Sequence, residues 1–263
     1  MYSFELQRPA SLADATANLG PGARPLAGGQ TLIASLKMRL ANPDALVDLS
    51  RIPDLALIRK DGNAIIIGAM ARHADVASSA DVLGAIPALA HLASSIGDRQ
   101  VRAMGTLGGS IANNDPAADY PAGVLGLGAT VQTTQRTIAA DKYFQGLFTT
   151  ALNENELITA VSFPIPRRAA YVKFKQPASR FALTGVFVAQ TDAGVRVAVT
   201  GGGKGVFRHA GLEAALNQSF TAESAAAVKI ESVDLSSDLH GSAAYRANLI
   251  SVLTQRAVTQ ALG

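Results

Sequence analysis

The chain of 263 residues contains no cysteine and no tryptophan. Without a thiolate there is no disulfide framework, no thiolate zinc site, no cysteine-ligated iron–sulfur cluster and no cysteine nucleophile. A reducing, cytoplasmic setting is the natural expectation. Aromatic residues are scarce at 5%, and no run of Lys and Arg occurs, so neither a base-stacking platform nor a basic stripe for nucleic acid is present. The net charge of +3, from 23 Lys+Arg against 20 Asp+Glu, is too small to argue for such a partner. The four His are scattered, so no metal site is expected. No stretch approaches the roughly 20 apolar residues of a membrane span. The opening Met-Tyr-Ser-Phe-Glu-Leu reads neither as a charged leader nor as an apolar signal segment.

What is abundant is small and apolar: 48% hydrophobic residues and 24 Gly. The length suits one large domain or two modest ones. A positive mean hydropathy of +0.21 reflects either the many alanines or a surface covered by partners.

Patterning predicts a strand over 3–8 and a helix from the cap Ser11 to Leu19, stopped by Gly20-Pro21-Gly22. A strand over 24–27 leads to Gly28-Gly29 and a helix with Leu32, Ile33, Leu36 and Leu40 on one face, then a strand over 45–49. A hairpin turns at Asp61-Gly62-Asn63. Beyond it come a helical stretch over 86–96, a glycine-rich segment over 105–112 and a small-residue helix to Gly128. Strands follow near 129–134, 136–139 and 157–163. Pro164-Ile165-Pro166-Arg167-Arg168 reads as an exposed boundary. An antiparallel meander (171–175, 183–191, 194–200) and helices near 212–216, 221–228 and 243–262 complete an α+β chain.

Two glycine pairs stand out. Ala27-Gly28-Gly29-Gln30-Thr31-Leu32 lies between a strand and a helix, where missing Cβ atoms allow close approach and helix N–H groups favour a phosphate, with Thr31 adding a hydroxyl. A plain strand-to-helix turn is the alternative. The segment from Thr106-Leu107-Gly108-Gly109-Ser110 to Asp119 repeats the ingredients, so two loops would clamp the two phosphates of one dinucleotide. Neither has the Gly-x-Gly-x-x-Gly spacing of the doubly wound dinucleotide folds nor the lysine of a phosphate loop.

These segments, with Gly68-Ala69-Met70-Ala71-Arg72-His73-Ala74-Asp75-Val76 and Lys175-Gln176-Pro177-Ala178-Ser179-Arg180-Phe181-Ala182, appear in an order that resembles the medium, FAD-binding subunit of the molybdenum hydroxylases, of the aerobic carbon monoxide dehydrogenase and xanthine dehydrogenase type. The resemblance covers essentially the whole chain. It implies a two-subdomain FAD-binding fold of the vanillyl-alcohol-oxidase/PCMH type over 1–166 (subdomains about 1–54 and 55–166), then a small C-terminal α/β domain of sheet and helices over 167–263. It also implies that Ala27, Gly28, Gly29, Gln30, Thr31, Thr106, Gly108, Gly109 and Ser110 cradle the pyrophosphate of FAD. Asp119 would accept from ribityl or ribose hydroxyls, a backbone amide near Leu157 would meet the flavin ring, and Lys175 would approach its pyrimidine edge.

By the same resemblance, a large molybdopterin subunit and a small subunit with two 2Fe–2S clusters are the partners, as a dimer of heterotrimers. Electrons would leave FAD for a quinone, NAD or oxygen. Substrate choice would lie on the molybdenum chain, and no catalytic residue is expected here. Read from the residues alone, other meanings stay open: Asp119 as a helix cap, Lys175 as a solvated strand lysine, and His73 as a hydrogen-bonding rather than catalytic histidine. Gly201-Gly202-Gly203-Lys204-Gly205 reads as a surface turn. A stand-alone reductase of the enolpyruvyl-sugar type and a structural subunit with a decayed flavin site are the rival functions.

Overall fold

The computed structural model covers residues 1–263. Its first layer is a three-stranded parallel sheet in which β1 (Glu5–Gln7) and β2 (Ala23–Leu26) flank β3 (Ala45–Asp48), connected through the helices α1 (Leu12–Ala17) and α2 (Leu32–Lys37). Ser11 caps α1 by accepting from the Asp14 N–H at 3.1 Å. A small core of Ala15, Leu19, Val47 and Leu49 extends to Ile52, Leu55 and Leu157, so it joins this layer to the next.

The hairpin β4 (Ile58–Asp61) and β5 (Ala64–Gly68) turns at Gly62 with φ +56°. Six helices follow before the sheet resumes: α3 (His73–Ser78), α4 (Ala80–Ala85), α5 (Pro87–Ser94), α6 (Arg99–Met104), α7 (Leu107–Asn113) and α8 (Tyr120–Gly126). Then come β6 (Thr130–Thr133), β7 (Thr137–Ala139), α9 (Ala140–Tyr143), the small hairpin β8 (Phe144–Gly146) and β9 (Thr149–Thr150), and β10 (Ile158–Pro164). The five-stranded antiparallel sheet runs β4-β5-β10-β6-β7. The glycine-rich stretch read as a segment over 105–112 is therefore mostly helix. Side-chain caps explain why, since Ser79, Asp98 and Thr106 each accept from the first turn of a short helix that periodicity does not reveal.

Last come the meander β11 (Arg168–Lys175), β12 (Ala182–Thr191), β13 (Gly194–Thr200) and β14 (Phe207–Arg208), then α10 (Ala210–Gln218), α11 (Ala222–Ala226) and α12 (Ala243–Leu262). Alternation divides this sheet between two cores. Phe187, Ala189, Ala198 and Tyr171 join the main core with α8, whereas Val186, Val188, Val197 and Val199 pack with Leu249, Ile250 and Leu253 of α12. A strand buried on both faces explains the continuous apolar run of β12. The small residues of α8 have a matching cause: a Cβ on Gly126 would stand 2.8 Å from Phe187.

Gly201–Gly203 do not form a surface turn. They are buried, because the Gly201 N–H donates to the Pro116 carbonyl and its own carbonyl accepts from Arg246. No helix is long and apolar enough to cross a membrane, and no cluster of three or more His, Asp or Glu is arranged to hold a metal ion.

Candidate functional site

The strand-to-helix turn after β2 and the N-terminus of α7 meet face to face. A Cβ on Gly28 would strike the carbonyl of Met104, and one on Gly109 would lie 2.9 Å from Thr106 Oγ1 and 3.4 Å from the Cβ of Ala27. The glycine pairs thus let two backbones touch. They bound a cleft of about 610 Å³ lined by Ala27, Gly28, Gly29, Gln30, Thr31, Thr106, Gly108, Gly109, Ser110, Asp119 and Leu157.

The two loops differ in what they offer. The N–H groups of Gly28, Gly29, Gln30 and Thr31 find no acceptor within the chain, and Thr31 makes no side-chain cap. Four successive unpaired amides form a concavity suited to anionic oxygens. At α7 the N–H groups are spent: Leu107 donates to the Ala71 carbonyl, Gly108 to the Ala69 carbonyl, Gly109 to Thr106 Oγ1 and Ser110 to the Thr106 carbonyl. The second loop therefore offers no free amide at its helix start; it presents Gly109, packed against the Ala27 side of the first loop, and the unpaired hydroxyl of Ser110. The signal for this was the Thr106 cap, since a Thr three residues before a glycine amide takes that donor for itself.

Asp119 lies on the cleft wall but does not cap α8. Its Oδ1 accepts from Tyr171 Oη at 2.5 Å and from Lys173 Nζ at 2.8 Å, with both charged side chains no more than 5% exposed. Burial pushes its carboxyl up against the pull of Lys173 and Tyr171. Lys175, by contrast, is exposed at the end of β11 and does not line the cleft. At this strand end the register slips, with Leu183 of β12 as the extra residue between the partners of Phe174 and Lys175. The Leu157 N–H is also committed, donating to Thr134 Oγ1 at 3.2 Å, so Leu157 contributes its position on the wall rather than that amide.

Its neighbour Glu156 also lines the cleft. Burial raises its pKa, but hydrogen bonds from Arg136, the Asn153 N–H and Thr133 outweigh this and hold it down to about 2. His73, buried beside Tyr120 with ring centroids 5.2 Å apart, lines the cleft too. Desolvation, then the nearby Arg102, lowers its pKa to about 4, so the imidazole is neutral. Sequence pattern also missed Arg180 and Phe181, which reach the cleft from the turn between β11 and β12.

The arrangement defines a binding protein for a long, anionic nucleotide cofactor, held in a cleft between layers of an α+β fold. Residues 2–166 match the FAD binding domain in molybdopterin dehydrogenase. The carbon monoxide dehydrogenase medium chain of Afipia carboxidovorans is 39% identical, over 98% of this chain and 96% of its own length. The glyceraldehyde dehydrogenase medium chain of Sulfolobus acidocaldarius is 34% identical, over 97% of this chain and 96% of its own. Reconstituted CO dehydrogenase from Oligotropha carboxidovorans superposes with a TM-score of 0.92 at 34% identity, covering 99% of this chain and 98% of that one. The chain belongs to the molybdenum hydroxylase family as its medium, FAD-binding subunit, a flavoprotein component of an oxidoreductase.

Proposed function

We propose that this chain is the electron-transfer subunit of a molybdenum hydroxylase, working with a large molybdopterin subunit and a small subunit carrying two 2Fe–2S clusters. The proposal includes a dimer of heterotrimers in the cytoplasm, division into residues 1–166 (about 1–54 and 55–166) and 167–263, and a quinone, NAD or oxygen as acceptor. The carrying observation is the row of unpaired amides at Gly28–Thr31 on a cleft large enough for a dinucleotide.

Bound FAD would supply the redox chemistry that joins the iron–sulfur clusters of a partner to the external acceptor. The chain's own residues do the rest. The amides of Gly28, Gly29, Gln30 and Thr31 hold pyrophosphate oxygens, with Arg24 and Arg180 on the same cleft adding positive charge. Gly108 lets α7 pack closely on Ala69 and Gly109 lets it approach the first loop, so that Ser110 brings a hydroxyl to the phosphates. Both side-chain donors to Asp119 sit on Oδ1, so Oδ2 is the carboxylate oxygen left for a sugar or ribityl hydroxyl. Glu156 fixes the 153–157 segment that places Leu157 on the wall. The absence of cysteine leaves these 263 residues unable to ligate the clusters, which fits their place on the partner subunit.

The full chain should take up one FAD, with a flavin absorbance spectrum after gel filtration. A chain that folds but retains no flavin after incubation with FAD overturns the proposal. Turnover of NADPH by the chain without partners would favour a stand-alone reductase.

A further inference from the structure

The Lys173 side chain is buried as the counter-ion of the equally buried Asp119, and its contacts tie two parts of the cleft together. Its Nζ contacts Asp119 Oδ1 at 2.8 Å and donates to the Arg180 carbonyl at 3.0 Å. Asp119 stands on one wall of the cleft, and the Ser179–Phe181 segment forms another part of it. Arg180 adopts a left-handed backbone, φ +63°, which a non-glycine residue keeps only when its surroundings hold it. Opposite Lys173 in the register is Gly185, where a Cβ would stand 2.5 Å from Tyr171 Oη. The missing side chain there leaves room for the tyrosine to reach the same carboxylate oxygen.

We propose that Lys173 is the positioning residue of the cofactor site: together with Tyr171 it pins one oxygen of Asp119, turns the other to the ligand, and ties the Ser179–Phe181 segment to the same point. The inference rests on the FAD reading of this cleft. It moves the functional lysine from Lys175 to Lys173. A carboxylate held on one oxygen loses no rotamer freedom on binding a hydroxyl, and its charge is preserved in a desolvated setting by the ammonium.

Lys173 is the charged group facing Asp119, and the phenols of Tyr171 and Tyr120 complete its titratable surroundings. Removing the ammonium therefore leaves burial to raise the carboxyl pKa further, and a protonated Asp119 accepts hydroxyl protons poorly.

Fluorescence titration of the full chain with FAD, repeated from pH 6 to 9, tests this. Lys173→Gln should bind FAD about tenfold more weakly at pH 7, on the scale of losses seen when an outer partner of a metal ligand is removed. Its affinity should also fall more steeply towards pH 6 than that of the unaltered chain, which a purely structural loss would not produce. Lys175→Gln should bind as the unaltered chain does. Should Lys173→Gln not fold, Tyr171→Phe removes one bond to the same oxygen, with about threefold weaker binding and the same pH trend expected. An unchanged affinity and pH profile in the folded variant, with the unaltered chain binding one FAD, overturns the role of Lys173. Failure of the unaltered chain to bind FAD overturns the cofactor reading instead.

Discussion

Arg196, on β13, donates from both Nε and Nη2 to the carbonyl of Leu125 in the last turn of α8, at 3.0 and 2.8 Å. The same guanidinium reaches Asp141 Oδ1 at 2.7 Å. A cation on the C-terminal carbonyls of a helix opposes its negative end. This contact fastens the C-terminal sheet to α8, the helix that follows Asp119.

Arg196→Met should therefore destabilise the fold by about 1–3 kcal/mol, since a buried carbonyl loses charged donors. Thermal unfolding followed by circular dichroism checks this. A melting temperature equal to that of the unaltered chain would show that the contact contributes nothing.

Gly109→Asp places a carboxylate where the two glycine loops meet. Its Cβ would lie 2.9 Å from Thr106 Oγ1, the atom that accepts the Gly109 N–H, and its charge would oppose the pyrophosphate. Loss of FAD affinity by more than about tenfold is expected, more than one hydrogen bond would account for. Titration of the folded variant decides it, and retained affinity would remove this loop from the site.

The neutral His73 makes stability depend on pH. Its pKa falls from an ordinary 6.5 to about 4 in the fold, chiefly through desolvation. The unfolded chain thus takes up a proton first as pH drops. Stability complete above pH 6.5 is lost progressively down to about pH 4, by about 3 kcal/mol for this group. Urea midpoints at pH 7 and 4.5 should converge in His73→Gln relative to the unaltered chain; equal pH sensitivity in both would contradict it.

Much of the architecture was legible in local pattern. The Ser11 cap, the Asp61-Gly62-Asn63 turn and the meander with its long apolar strand each follow from chemistry confined to a few residues. Short helices such as α3 and α6 were not legible, because a turn or two of helix shows no periodicity and depends on caps and on packing.

The sequence by itself determined the family, the absence of any cluster-ligating thiolate and the glycine pairs that bound the cleft, since these depend on residue identity and order. Only the tertiary structure decided which amides stay unpaired, that Lys173 meets Asp119, and that the Leu157 N–H is committed to Thr134. Those facts depend on hydrogen-bond partners brought from distant parts of the chain. A donor's availability is a property of everything that surrounds it, and no local stretch of sequence contains that.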